Sequence, residues 1–309
     1  MRFSRCRSQK SIVAILGLLI AFTLSDGSAH AADRVKIAVW GDSRENLDGA
    51  VDHIGQILLK EITDWNFIIH TGDFTHGGKD ADWQRSLGYK GMRQMFVKDK
   101  FLMCTSNHDS QSRNRAVWDK YTGGLLPTNS ADGSNHFFGY KFKNVHVVAC
   151  DPYFTEAKLM QRWLDQYLAG VKPDEWLIGV WHCPTYGDLT YKEDNLKTNR
   201  PWLESLYRHG CGFVFNGHAH VYVRSKPLAP DGSVDERKGI VHIVNGAGGA
   251  SWENPQPYGN KTAFTPKTKS FPAITFLTLE GNDATVQTID ARPGHNRAVI
   301  DELKRTKNR

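Results

Sequence analysis

Short apolar runs alternate with longer amphipathic stretches along most of the chain. The runs are rich in valine, isoleucine and phenylalanine and end at polar residues or glycine, which is typical of buried strands in a parallel sheet. The amphipathic stretches carry apolar residues at steps of three and four, which predicts helices. The predicted strands are 35–39, 67–70, 101–104, 145–149, 176–180 and 213–215, and the predicted helices are 47–62, 156–168 and 201–207. This alternation predicts a layered α/β fold.

From about residue 221 the pattern changes to strand-like runs with few helical stretches between them. Strands are predicted at 221–223, 240–244, 274–279 and 285–289, with a hairpin turn at 280–283. The segment 247–272 is rich in glycine, proline, asparagine and lysine, and a long irregular loop of this kind is often a binding element. The sequence contains no internal repeat, so residues 32–309 are predicted to form a single domain with a strand-rich C-terminal part.

The first 31 residues have the layout of a secretory signal peptide. Four basic residues precede an apolar run at 12–24, and Ala29-His30-Ala31 matches an A-x-A cleavage site. The apolar run is short for a permanent transmembrane anchor, although a retained anchor is the competing interpretation. We therefore expect an exported protein, periplasmic or secreted, with no stable membrane anchor after cleavage of residues 1–31.

Charge and cysteine content narrow the function classes. The chain has 309 residues and a formal net charge of +6, which falls to +3 without residues 1–31 because that segment carries four basic residues and one acidic residue. Such a small excess is weak support for nucleic-acid binding, so no nucleic acid is expected as a specific partner. The four cysteines beyond residue 31 lack the spacing of a zinc site, and the sequence does not select a disulfide pairing.

Metal-binding side chains follow five of the predicted strands at the point where each strand ends. In chain order they are Asp42, Asp73, Asn107, His182 and the pair His218 and His220. In open α/β sheets the carboxyl ends of the strands face the ligand-binding crevice. Carboxylate and amide oxygens combined with imidazoles suit two divalent or trivalent ions such as iron, zinc or manganese. A single strand that ends in Gly-Asp is usually just a turn, but five such strand ends in succession indicate a metal site.

The order of these motifs resembles the calcineurin-like metallophosphoesterases. Gly-Asp, a second Gly-Asp, Asn-His-Asp, Val-x-His and Gly-His-x-His occur in that order between Gly41 and His220. The commonest first motif of that superfamily is Asp-x-His, whereas this chain has Arg44 at the third position. The missing histidine, together with the segment from His220 to Ser225, makes the chain similar to the purple acid phosphatase branch.

The resemblance implies a four-layer α/β/β/α sandwich with a dinuclear metal centre. The first ion would be held by Asp42, Asp73 and His220, and the second by Asp73 as a bridging ligand together with Asn107, His182 and His218. Purple acid phosphatases place a tyrosine ligand three residues after the bridging aspartate, and this chain has His76 there. His76 is therefore predicted to bind metal as well, the alternative being a loop residue that points into water.

Three residues that lie close in sequence to the predicted metal ligands are predicted to take part in catalysis. Arg44 is the candidate cation for the charge that develops on the phosphoryl group, and an exposed, merely solvated arginine is the alternative. The resemblance implies that His108 acts as the general acid or as a donor to the phosphate. Asp109 is predicted either to orient His108 or to cap a helix at 110–118.

Together these residues predict metal-dependent hydrolysis of phosphate esters, in which two ions activate water for attack on phosphorus. Small phosphorylated molecules are the expected substrates, and an acid-phosphatase-like phosphomonoesterase is favoured. The stretch after His182 lacks the further histidines of plant-type purple acid phosphatases and has Tyr191 and Lys192 instead, which leaves phosphodiesterase activity open. The alternative from another class is a phosphate- or metal-binding protein without turnover.

Overall fold

The apolar runs of the sequence form the central strands of two β-sheets. The computed structural model describes residues 34–187, 195–254, 259–265 and 270–307, so the predicted signal peptide and the residues Tyr191 and Lys192 lie outside the described part. The strands are β1 (Val35–Trp40), β2 (Phe67–His70), β3 (Phe101–Met103), β4 (Phe138–Phe142), β5 (Val145–Ala149), β6 (Trp176–Val180), β7 (Phe213–Asn216), β8 (Tyr222–Leu228), β9 (Ile240–Asn245), β10 (Thr262–Phe264), β11 (Ala273–Glu280), β12 (Asp283–Asp290) and β13 (Val299–Thr306). The helices are α1 (Ala50–Gln56), α2 (Asp80–Gly88), α3 (Met92–Met95), α4 (Arg115–Thr122), α5 (Ala157–Leu168) and α6 (Leu196–Arg208).

Both sheets mix parallel and antiparallel strands. The first sheet has the order β13-β12-β11-β1-β2-β3, and the second has the order β10-β8-β9-β7-β6-β5-β4. The strands β1, β2 and β3 are parallel to one another, as are β5, β6, β7 and β9. The other pairs are antiparallel. Parallel neighbours need long crossover connections, and α1, α5 and α6 lie in such connections.

Strand register places the predicted metal ligands at one edge of each sheet. The last residues of β1 and β2 pair with each other, so Asp42 and Asp73 follow at the same edge. The last residue of β6, Val180, pairs with Phe215 near the end of β7, so His182 and His218 also follow at one edge. The carboxyl ends of the parallel strands therefore carry the predicted metal ligands.

Side-chain alternation along the second sheet builds two hydrophobic cores. Val147 and Ile178 belong to the core shared with the first sheet, whereas their neighbours Val148 and Leu177 pack in a second core with α5 and α6. The helices α1 and α2 contribute buried residues to the core that contains the first sheet. Both sheets are thus packed together and flanked by helices, and the predicted four-layer sandwich is confirmed.

Two of the predicted helices have different bounds in the structure. The prediction of one helix over 47–62 is wrong in its first turn, because Asn46, Asp48 and Gly49 have positive φ values of 48°, 53° and 71°. The chain forms a tight turn at Leu47–Gly49, then α1, then a wider helical turn at Ile57–Glu61. The helix predicted at 201–207 begins earlier and contains Pro201 in its interior. The predicted hairpin turn at 280–283 is confirmed, since β11 and β12 pair on either side of it.

The helix α4 overlaps the helix considered at 110–118 but begins later, and the hydrophobic pattern did not predict α2, β4 or β13. The last of these is an edge strand in which charged and apolar residues mix, so it has no buried face that a pattern could reveal. It is held by contacts with the second sheet: Asp301 accepts hydrogen bonds from Tyr222 at 2.8 Å and from Arg224 at 2.6 Å and 2.8 Å. Such elements depend on tertiary partners rather than on local sequence.

The described residues from Arg34 onwards belong to one compact unit. Within the described ranges the cysteines Cys104, Cys150, Cys183 and Cys211 form no disulfide bond. The same ranges contain no helix that is both long enough and apolar enough to cross a membrane.

Candidate metal centre

Side chains from the ends of both sheets meet in one buried group. Asp42 follows β1, Asp73 follows β2 and His182 follows β6, and one ligand atom from each lies within 4.8 Å of the others. All three residues are buried, with exposed fractions of 0%, 1% and 0%. Residues that are distant in the chain thus form a site with the donor chemistry of a transition-metal centre.

The backbone is constrained at three of the predicted ligands. Asp42, Asp73 and His218 have φ values of 58°, 53° and 70°, in the left-handed backbone region that residues other than glycine rarely adopt. Asp42 stays there because its N–H donates to the Gly72 carbonyl at 2.9 Å, and its carboxylate accepts the N–H of His218 at 3.0 Å and 3.1 Å. Backbone strain of this kind concentrates at functional sites.

Glycines allow other segments to approach Asp42 closely. A Cβ atom at Gly217 would lie 2.3 Å from the Asp42 carboxylate, and one at Gly248 would lie 2.0 Å from the carbonyl oxygen of Gly41. The N–H of Ala250 donates to the Asp42 carbonyl at 2.8 Å. The glycine-rich segment that begins the 247–272 loop therefore supports the first aspartate.

Three histidines are oriented by hydrogen bonds to backbone carbonyls. The Nδ1 atoms of His182, His220 and His108 lie 2.8 Å, 2.7 Å and 2.6 Å from the carbonyl oxygens of residues 71, 251 and 76. A carbonyl oxygen only accepts, so each Nδ1 carries a proton, and in the neutral form of each ring the lone pair is on Nε2. Metal-binding histidines in proteins are commonly fixed in this way.

Acceptor atoms face one another across the centre. His182 Nε2 lies 3.2 Å from Asp73 Oδ1 and makes no hydrogen bond in the described residues, and neither does the buried Oδ1 of Asn107. Buried acceptors without partners cost free energy, and a cation bound by all of them removes that cost. The residues present therefore fit a metal ion, and Asp42, Asp73, Asn107 and His182 supply the required oxygen and nitrogen donors.

The charges of the two aspartates also favour a bound cation. Burial raises the pKa of Asp42 well above its usual value, and the neighbouring Asp73 carboxylate raises it further. Burial also acts to raise the pKa of Asp73, but His182 when protonated, His108 and Arg44 outweigh it and lower that pKa to about 2. Two adjacent buried carboxylates repel each other when both are ionised, and a bound cation relieves this repulsion.

Arg44 is placed inside this centre. Its guanidinium is 8% exposed and its Nη1 atom donates to Asp73 Oδ2 at 2.9 Å and to His220 Nε2 at 3.0 Å. The alternative of an exposed, merely solvated arginine is wrong. The catalytic role predicted for Arg44 stays a prediction, and the position of its charge favours that role.

His76 and His108 lie side by side at the rim. The rings are 5.7 Å apart, and His108 is the closer to the carboxylates, with Nε2 3.9 Å from Asp73 Oδ2. His76 is exposed and is not part of the donor group formed by Asp42, Asp73 and His182. The metal-binding role of His76 stays a prediction, and its exposed ring gives that role less support than the buried ligands have.

Both predicted roles of Asp109 are wrong. Among the described residues its carboxylate makes no hydrogen bond or ion pair with the His108 ring, which is bonded to the His76 carbonyl instead. The helix α4 begins later, at Arg115, where the Asn114 side chain caps it by accepting the N–H of Val117. Asp109 instead accepts hydrogen bonds from the backbone N–H groups of Phe74 and Thr75 at 3.2 Å and 2.7 Å. It therefore joins the loop after β3 to the loop that carries Asp73.

Two residues that hold His220 are not predicted by any sequence motif. The Ser251 carbonyl accepts the imidazole proton of His220, and the Glu253 carboxylate accepts its backbone N–H at 2.9 Å. Burial raises the pKa of Glu253 to about 7, although the His220 N–H and the charge of Arg44 oppose this shift. The only signal in the sequence was the composition of the 247–272 loop, which identified a binding element and no individual residue.

A family model matches more than half of the chain. The family model described as calcineurin-like phosphoesterase matches residues 35–222, a range that contains Asp42, Asp73, Asn107, His182, His218 and His220. The chain therefore belongs to the calcineurin-like phosphoesterase family, and the resemblance inferred from its motifs is confirmed.

Curated relatives include purple acid phosphatases. The chain is 28% identical over 166 residues to purple acid phosphatase 15 of Arabidopsis thaliana, covering 51% of this chain and 31% of that protein. It is 30% identical over 204 residues to purple acid phosphatase 21 of the same plant, covering 63% of this chain and 46% of that protein. The chain thus spans less than half the length of these relatives.

Solved structures show the same fold at low sequence identity. A purple acid phosphatase from yellow lupin seeds matches with a TM-score of 0.69 and 14% identity over 89% of this chain and 54% of that one. GAP50, the anchor in the inner membrane complex of Plasmodium, matches with a TM-score of 0.66 and 13% identity over 89% of this chain and 90% of that one. At such identities the likeness supports the fold alone.

Proposed function

We propose that the chain is a metal-dependent phosphatase that hydrolyses esters of small phosphorylated molecules. The observation that carries this proposal is the buried Nε2 atom of His182, which has no hydrogen-bond partner among the described residues and lies 3.2 Å from the Asp73 carboxylate. Membership of the calcineurin-like phosphoesterase family supports the same chemistry. The proposed metal ligands are Asp42, Asp73, Asn107, His182, His218 and His220, with His76 as a further candidate.

The chain's own residues have separable tasks in this proposal. A bound ion lowers the pKa of water and stabilises charge on the phosphoryl group. Arg44 holds a permanent positive charge beside Asp73, where it can bind a phosphoryl oxygen. His108 lies at the open rim with its Nδ1–H fixed by a carbonyl, so its Nε2 can carry a proton to a leaving group. Asp109 positions the Asp73 loop and touches no substrate.

Phosphomonoesters are the proposed substrates in preference to phosphodiesters. The support comes from the purple acid phosphatases among the relatives, which the chain matches over less than half of their length. Against it stands the lack of further histidines in 183–199, part of which lies outside the described residues. The metals implied are iron, zinc or manganese. The resemblance implies two ions that share Asp73. The contacts of Arg44 with Asp73 and His220 affect how many ions can bind.

Nitrophenyl phosphate and bis-nitrophenyl phosphate distinguish these possibilities. We expect the metal-replete full chain to hydrolyse the monoester faster than the diester, and a chelator to abolish both activities. Asp73→Asn should lose metal and activity together, since Asp73 belongs to the buried donor group and is the ligand proposed to be shared. Asp132→Asn, at an exposed loop carboxylate, is the matched control and should keep both. Hydrolysis that survives complete metal removal would contradict the proposal.

A binding protein without turnover is the second candidate function. The fold also occurs in GAP50, whose description is that of an anchor, so the fold by itself does not imply catalysis. All the predicted ligand positions are filled in this chain, which favours an enzyme. Failure of metal-replete protein to hydrolyse either nitrophenyl ester, while it still binds inorganic phosphate, would favour the binding protein.

We also propose that residues 1–31 direct export and that residues 32–309 form the mature domain. The basic, apolar and A-x-A segments of the sequence support this proposal. N-terminal sequencing of protein recovered outside the cytoplasm tests it, and a chain that starts at Ala32 is the expected result. A chain that retains residues 1–31 would instead favour a membrane anchor.

A further inference from the structure

Arg44 contacts two of the residues that are predicted to hold the first ion. In the Asp-x-His motif of the superfamily this position carries an imidazole, and here it carries a buried guanidinium. That guanidinium donates to Asp73 Oδ2 at 2.9 Å and to His220 Nε2 at 3.0 Å. Asp73 and His220 are two of the three residues predicted for the first ion, so Arg44 binds the atoms that the ion would bind.

The contact with His220 decides what else can bind there. The Nδ1 atom of His220 lies 2.7 Å from the Ser251 carbonyl and carries the ring proton, so Nε2 has a single lone pair. Arg44 takes that lone pair with an N–H group. A metal ion needs the same lone pair, at a distance of about 2.0–2.1 Å. Arg44 and a metal ion therefore compete for His220, and only one of them binds it at a time.

The positive charge of Arg44 also disfavours a metal ion at the first position. A guanidinium stays protonated under all conditions in which proteins are folded, so it brings a permanent positive charge to the carboxylates of Asp42 and Asp73. A divalent ion at the first position would be repelled by this charge in a buried site. At the second position the Asn107 and His182 acceptors have no hydrogen-bond partner in the described residues, so no resident donor competes for them.

We propose that Arg44 is the resident cation of the first position, in place of the ion that Asp42 and His220 would otherwise help to hold. The chain then binds a single metal ion, held by Asp73, Asn107, His182 and His218. The inference rests on the proposed function, because it sets the metal count of that same centre. The guanidinium then has the place that the first ion has in a two-ion centre. The chain would be a one-metal, one-arginine phosphoesterase.

Metal content per chain tests this inference without an activity assay. The full chain is saturated with Mn²⁺, separated from loose ions by gel filtration and analysed by mass spectrometry for bound metal. We expect one ion per wild-type chain and close to two in Arg44→His, which supplies an imidazole and removes the permanent charge. Arg44→Gln should also admit a second ion, with weaker affinity. Arg113→His adds an imidazole at an exposed arginine that lines the same cavity as Asn107 and, as the matched control, should stay at one.

Each result has a distinct meaning. Two ions per wild-type chain would overturn the inference and leave the proposed function intact, whereas no bound ion would overturn both. One ion in the wild type and in both Arg44 variants would also overturn it, because Arg44 would then not be what excludes the second ion. The electron paramagnetic resonance spectrum of the Mn²⁺-loaded wild type is an independent readout. We expect the spectrum of an isolated ion, and an exchange-coupled pair would contradict the inference.

Discussion

Asp109 accepts two hydrogen bonds from Thr75, one from its backbone N–H at 2.7 Å and one from its hydroxyl at 2.8 Å. Asp109 is 2% exposed, and Thr75 lies two residues after Asp73 in the same loop. The carboxylate also accepts the Ser106 hydroxyl at 2.8 Å. One buried side chain therefore fixes the loop of the central aspartate relative to the loop that carries Asn107.

Removing this carboxylate should loosen the metal centre as well as the fold. We expect Asp109→Ala to lower the free energy of unfolding by about 3 kcal/mol, because buried N–H groups lose their acceptor. The metal affinity should fall too, since the Asp73 loop is no longer fixed. Urea unfolding and a metal titration measure the two effects. Asp132→Ala removes an exposed carboxylate that accepts comparable hydrogen bonds, and an equal loss there would contradict the special role of Asp109.

His108 should affect the rate of hydrolysis and leave the metal in place. Its Nε2 lies 3.9 Å from Asp73 at the exposed rim, and a general acid contributes about 10²–10⁴-fold to a rate. We expect His108→Ala to lower kcat within that range for phenyl phosphate, a poor leaving group, and by less for nitrophenyl phosphate. Metal analysis of the same variant should match the wild type. A variant that loses its metal would show that His108 is a ligand instead.

The iron-loaded protein should lack an intense visible absorption band. The colour of purple acid phosphatases comes from a tyrosine phenolate bound to iron, and this chain has His76 at the corresponding position. An absorption spectrum of protein reconstituted with ferric iron measures this directly. An intense band would contradict the prediction and indicate a tyrosine ligand.

His242 should make the fold sensitive to acid. It is 1% exposed in β9, as expected for a packed histidine, and neither ring nitrogen has a hydrogen-bond partner in the described residues. Burial lowers the pKa of His242 to about 3, whereas an unfolded histidine titrates near 6.5. The unfolded chain therefore takes up the proton first. The stability contributed by the neutral ring is present above about pH 6.5 and is lost as the pH falls towards 3.

The variant His242→Leu tests this effect. Between pH 8 and pH 5 the wild type should lose about 2 kcal/mol more of its free energy of unfolding than the variant. Urea unfolding at both pH values measures the difference. His295 is 46% exposed, and His295→Leu is the control. If both variants change the pH dependence equally, burial of His242 is not the cause.

The fold and most of the site follow from local patterns in the sequence. Apolar runs that end in Gly-Asp, Asn or His predicted β1, β2, β3, β6 and β7 together with the ligands after them. This works because a buried strand needs apolar residues, and because parallel strands bring their carboxyl ends to one edge. Elements such as β13 escaped the pattern because their residues are held by partners from other elements, as Asp301 is by Arg224.

The sequence by itself determined the class of fold, the family and the identity of the buried donors Asp42, Asp73 and His182. Only the tertiary structure decided the tasks of their neighbours. It placed Arg44 on His220, far along the chain, directed Asp109 to Thr75 instead of His108, and left His76 at the exposed rim. The physical reason is that the chemistry of one residue decides whether it can bind a metal ion. Its hydrogen-bond partner, in contrast, depends on which distant segments are packed within about 3 Å of it.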